Sequence, residues 1–97
     1  MLQDYKRSGN DYFVESAARI LIKAEDDYSK EVAAILPEIK YPYTQTVACY
    51  VLGKIGGEEY IGLLYEYFNK LKRNYEREAF YEGPLMGLCE MKRRFEF

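Results

Sequence analysis

The stretch Val47–Leu71, VACYVLGKIGGEEYIGLLYEYFNKL, decides the fold. Apolar residues at Val47, Ala48, Val51, Leu52 and Ile55 recur at helical spacing, and Gly56-Gly57 then breaks the run. Glu58 and Glu59 open a second run in which Ile61, Leu64, Phe68 and Leu71 share one helical face. The pattern reads helix, turn, helix. Two short antiparallel helices cannot each bury a whole stripe on the other, so such a hairpin needs stacked neighbours. The expected class is all-α.

On the N-terminal side, Asn10 or Asp11 can cap a first helix whose stripe is Phe13, Ala17, Ile20, Leu21 and Ala24. Glu25-Asp26-Asp27 suits the start of a second helix, marked by Tyr28, Val32, Ile35, Leu36 and Ile39. Pro37 should end or kink that helix near Leu36, because the residue before proline avoids the helical region. Tyr41-Pro42-Tyr43-Thr44 is the next break, with Thr44 as the expected cap of the third helix.

On the C-terminal side, Asn74 ends the fourth helix. The marks Phe80, Pro84, Leu88, Met91 and Phe95 keep helical spacing through Gly83-Pro84. They predict one kinked helix, in preference to a stop and a new helix with Pro84 in its first turn. Five helices are thus expected near residues 10–24, 28–36, 44–55, 58–73 and 76–94. Their expected core is Ala17, Ile20, Leu21, Val32, Leu36, Val51, Leu52, Ile61, Leu64, Phe68 and Leu88. Gly53 and Gly62 are read as points of close helix approach.

The halves of the chain resemble each other. An offset of 31 pairs Ala17 with Ala48, Ile20 with Val51, Leu21 with Leu52 and Lys23 with Lys54. An offset of 37 begins a third copy, pairing Ala48 with Leu85, Val51 with Leu88 and Leu52 with Cys89. The residues Leu52-Gly53-Lys54-Ile55-Gly56, followed by an acidic turn and by Leu63-Leu64, resemble the HEAT-repeat family. The resemblance is specific over residues 44–71, loose over 13–39 and partial over 75–97. It implies antiparallel helical hairpins stacked as a short right-handed solenoid of about two and a half repeats. It also implies a non-catalytic protein–protein interaction module whose second helices line a concave binding face.

Composition sets the outer limits. Ninety-seven residues, 48% apolar and 31% charged, fit one globular domain over residues 1–97. No run approaches the roughly 18 apolar residues of a membrane span. The opening MLQDYKRSGNDYF lacks a signal-peptide core, so the expected compartment is cytoplasmic. A net charge of −2 gives no global attraction for nucleic acid or anionic lipid. Positive charge is local, in Lys70, Lys72, Arg73 and Arg77 and again in Lys92, Arg93 and Arg94. The first group reads as a complement to a helix C-terminus, with a phosphate-binding patch as the alternative.

Chemistry leaves few traces. The chain has no histidine, and Cys49 and Cys89 are far apart with no CxxC, so no metal or cofactor site is expected. Both cysteines are expected to be buried and reduced. Asp26-Asp27 and Glu58-Glu59 fall at helix N-termini, where acids stabilise without a ligand, and Glu82 and Glu90 have no assignable partner. The chain is therefore not expected to be an enzyme.

Eleven tyrosines against five Phe and no Trp point instead to contact surfaces. Tyr60, Leu63 and Tyr67 form a second stripe beside the Ile61–Leu64–Phe68 face. With Glu66 and Lys70 they are the candidate surface for a protein or peptide partner. Met86, Met91, Phe95 and Phe97 are the candidate self-association surface, since an uncapped stack leaves apolar ends for a second copy. The alternatives are a nucleic-acid-binding HEAT-like protein, disfavoured by charge, and a subunit of a lyase-type enzyme.

Overall fold

A computed structural model describes residues 10–96. Among them run five α-helices: α1 (Asp11–Lys23), α2 (Ser29–Ile35), α3 (Pro42–Ile55), α4 (Ile61–Asn74) and α5 (Glu82–Phe95). Short 3₁₀ turns at Leu36–Glu38 and Glu58–Tyr60 precede α3 and α4, and no strand occurs among the described residues. Phe97 lies outside them.

Local chemistry sets most boundaries. Asn10 caps α1, its Oδ1 accepting from the Phe13 N–H at 2.9 Å. Asp27 Oδ1 accepts from the Ser29 N–H at 2.9 Å, and that bond holds the Asp27 carboxyl below its ordinary pKa. Pro37 ends α2 at Ile35 and leaves one tight turn behind it. Helix α3 begins at Pro42 rather than behind Thr44, which is buried within its first turn. Proline at the first helical position loses no hydrogen bond and has its φ already set.

The single kinked helix expected from residue 76 is not formed. Residues 75–81 form turns and irregular chain, and α5 starts at Glu82 with Pro84 in its first turn. A helix running through residue 80 would press the proline ring on that residue's carbonyl, whereas a start at Glu82 puts the missing N–H where none is needed.

Helix α3 is the centre of the molecule, with α5, α1 and α2 packed around it. Helices α3 and α5 run parallel. Thr46 meets Phe80 and Gly83 at one end, and Gly53 and Gly56 meet Arg94 at the other. Helix α4 lies antiparallel to α5, Phe68 meeting Tyr81 edge-on at 5.8 Å while Tyr65 shares a hollow with Cys89 and Lys92. The turn at Gly56-Gly57 is present, but α3 and α4 make only sparse contact; the extensive antiparallel pair is α4–α5.

The core holds Ala17, Leu21, Val32, Leu36, Val51, Leu52, Leu64 and Leu88 as expected, with Val14, Ala48, Cys49, Tyr67, Leu71 and Met91 added. Ile61 and Phe68 are only half-buried, and Ile20 is 58% exposed. Helix α1 turns its Val14–Ala17–Ala18–Leu21 face inward, where two alanines let the backbone come close, and this rotates Ile20 outward.

Candidate interaction surfaces

The α3–α5 seam is built on small residues. A Cβ placed on Gly53 would lie 2.1 Å from the Gly87 Cα, and one on Gly83 would lie 1.9 Å from the Thr46 carbonyl oxygen. The helices therefore touch backbone to backbone. Polar bonds finish both ends of the seam. The Thr46 hydroxyl donates to the Phe80 carbonyl and accepts from the Gly83 N–H at 2.8 Å, capping α5 from another helix. Arg94 Nη2 donates to the Gly53 and Gly56 carbonyls at 2.6 and 2.7 Å, closing the C-terminus of α3.

With the seam so thin, side chains flanking it stand up as walls. Tyr43, Val47 and Tyr50 rise from α3, Met86 rises from α5, and Ala79 and Phe80 close one end. They enclose an apolar groove of about 360 Å³, within the range of roughly 300–1,000 Å³ of ligand clefts. Burial first and the neighbouring Glu15 second hold the Tyr43 hydroxyl above its ordinary pKa. Beyond the apolar part, Lys54 Nζ stands 3.4 Å from Glu90 Oε1, and Glu90 also pairs with Arg93. Hydrogen bonding from Arg93 leads the causes that lower the Glu90 pKa.

A second, smaller hollow of about 190 Å³ lies between α4 and α5, lined by Tyr65, Phe68, Leu85, Leu88, Cys89 and Lys92. A third depression follows the outer face of α1 at Ser16, Arg19, Ile20 and Lys23.

The residues singled out from sequence fare unevenly. Tyr67 is buried at 4% exposure, so the stripe it was read into serves the core. Burial raises its hydroxyl pKa, and Lys70 stacks over its ring at 5.0 Å. Tyr60 and Leu63 are half-buried against the core, which leaves only Glu66 and Lys70 exposed. Met91 is fully buried rather than exposed, and Phe95 folds back onto the core; Met86 alone of the described members stands out, at 52% exposure. Cys49 is buried as expected and its thiol is pushed up to about 12 by desolvation, but Cys89 is exposed. Gly62 faces open space and marks no close approach.

No protein-family model, curated protein or solved structure matches the chain. Among the described residues no cluster of three His, Cys, Asp or Glu side chains could hold a metal ion, and no helix is long and apolar enough to cross a membrane. The thiol and hydroxyl nearest the seam are committed: Cys49 stays protonated, and the Thr46 hydroxyl is held by two backbone groups. The groove offers shape and apolar area. The Glu82 carboxyl also lines it.

The groove residues were visible singly in the sequence. Tyr43, Val47 and Tyr50 step by four and three along one helix face, and Gly83 and Gly87 are four apart. What joins them is the parallel crossing of α3 and α5, which a reading built on antiparallel hairpins does not supply.

Proposed function

We propose that this chain is a non-catalytic interaction module that binds a protein or peptide segment in the α3–α5 groove. The observation that carries this reading is an open apolar channel walled by Tyr43, Tyr50, Phe80 and Met86 on a frame whose ends are tied by Thr46 to Phe80 and Gly83 and by Arg94 to Gly53 and Gly56. Aromatic and methionine walls give large contact area at small entropic cost and adapt to varied side chains. The parallel relation of α3 and α5 at an offset near 37 supports a repeat origin of HEAT-like kind. The sparse α3–α4 contact gives any such solenoid an unusual hairpin. Two unpaired thiols fit a reducing, cytoplasmic setting.

The test is selection of peptide ligands from a random display library, followed by affinity measurement on Met86→Glu and Tyr50→Lys variants. Both substitutions lie on the groove wall outside the core, so helicity by circular dichroism should stay unchanged. Affinity should fall at least tenfold in each. Ligands that bind both variants as well as the parent protein would remove the groove from consideration. Self-association through the outer side of α5, with Met86 at its centre, is the second reading; light scattering at tens of micromolar, about the range where weak contacts register, tests it.

A further inference from the structure

We infer that the hollow between α4 and α5 is a second docking site, for a short acidic peptide segment that inserts one apolar side chain. Its walls include two exposed large apolar side chains, Tyr65 at 51% and Leu85 at 40%. At about 190 Å³ it falls below the roughly 300 Å³ at which small-molecule clefts begin. That volume suits a side-chain anchor.

Charge selects the occupant. Lys92 lines the hollow beside Tyr65, and Lys72 stands over the rings of Phe68 and Tyr81 at 5.5 and 5.7 Å. Because α4 and α5 are antiparallel, Lys92 lies toward the Tyr65 end of the hollow, while Lys72, outside its lining, lies beyond Phe68 toward Tyr81. Neither has a carboxylate partner among the described residues, although Glu66, Glu82 and Glu96 belong to the same two helices or their caps. The helix dipole accounts for cations in the last turns of α4 and α5. It does not account for exposed Tyr65 and Leu85 standing between them. A central apolar anchor with carboxylates on both sides matches the surface: the ring faces, the concavity and two lysines with no carboxylate partner among the described residues. The site stands apart from the α3–α5 groove and does not depend on it.

The probe is a fluorescein-labelled peptide with a central Leu-Phe pair flanked on each side by Asp and Glu, measured by anisotropy. Its amide counterpart, with Asn and Gln at those positions, is measured in parallel. The acidic peptide should bind and weaken with added salt, and the amide peptide should bind at least tenfold more weakly. The double variant Lys72→Glu/Lys92→Glu should lose at least tenfold, Lys72→Arg/Lys92→Arg should retain binding, and Leu85→Asp should lose it. All these side chains are exposed, and circular dichroism verifies the fold. Met86→Gln, which changes the groove wall without adding charge, should leave the acidic peptide's affinity unchanged.

Absence of binding by the acidic peptide, equal binding by the amide peptide, or indifference to lysine reversal would each overturn the inference while leaving the groove reading intact. Loss on Met86→Gln would place the peptide in the groove and overturn it as well. Two further results would reassign the occupant: sedimentation with phosphatidylserine vesicles in place of peptide binding, or a dimer abolished by Lys72→Glu/Lys92→Glu. Either would overturn a peptide partner.

Discussion

Helix α5 makes two contacts of opposite character. Against α3 it presents Gly83 and Gly87, and the backbones meet with nothing between them. Against α4 it presents Leu85, Leu88 and Cys89 to Tyr65 and Phe68, and the larger side chains leave a hollow. Close-packed backbone admits no added atom, whereas a contact made of rings and branched chains can shift rotamers around a change. The first contact fixes where the helices sit. The second leaves surface free for use.

The largest expected effect comes from the side chain that touches both contacts. Leu64 is fully buried on α4 and approaches Gly87, so Leu64→Ala should cost about 2–5 kcal/mol in urea unfolding through the cavity it leaves. A loss under half of that range would mean the two contacts are not joined at this point. Next is Gly53→Ala, expected to destabilise by about 1–3 kcal/mol even after its gain in helix propensity, because the new methyl meets the Gly87 backbone. Unchanged stability there would refute the backbone seam.

Thr46→Val should cost about 1–2 kcal/mol, since it strips a buried cap from the Gly83 N–H while keeping volume. The sign reverses away from the seam. Gly62→Ala, in open space on α4, should stabilise by about 0.5–1 kcal/mol. Opposite signs at Gly53 and Gly62 under one substitution would be the sharpest measure of the difference between the two surfaces.

The smallest effect concerns the thiols. Native protein at pH 8 should react with a disulfide reagent at Cys89 and not at Cys49, which becomes reactive only on unfolding. The Cys49 pKa is raised from 9.0 to about 12, so its protonated form is favoured in the folded chain. The resulting stability is fully present below pH 9 and declines as pH rises from there toward 12. Cys49→Ala should flatten that alkaline decline, as followed by thermal unfolding at stepped pH.

Helices were legible in the sequence because each carries its own periodicity and stops. Asn10, Pro37, Gly56 and Asn74 mark ends through chemistry local to the chain, and each end falls where that chemistry puts it. The errors share a cause. Whether Ile20 or Val14 faces inward, and whether Met91 or Met86 is exposed, depends on which neighbour a helix meets and at what rotation. An amphipathic stripe of about 100° leaves room for either choice. The groove was hidden for the same reason: Tyr43 and Met86 become neighbours only through a parallel crossing between helices with two other elements between them. Gly53 makes a close approach and Gly62 does not, a difference that only the neighbouring backbone sets.

The bonds from Arg94 to the carbonyls of Gly53 and Gly56 also carry a consequence for how the chain acquires its shape. A protein emerges from synthesis in order, and α3 is complete some forty residues before Arg94 exists. Until then the Gly53 and Gly56 carbonyls lack the guanidinium that closes that end, and the Thr46 hydroxyl waits for the Phe80 carbonyl and Gly83 N–H that it joins. Each helix thus receives its terminus from the other. The pair matures together, late, and closing it requires a long loop through α4 to be drawn in first. A nascent chain stalled before α5 would leave the Gly53 face of α3 uncovered.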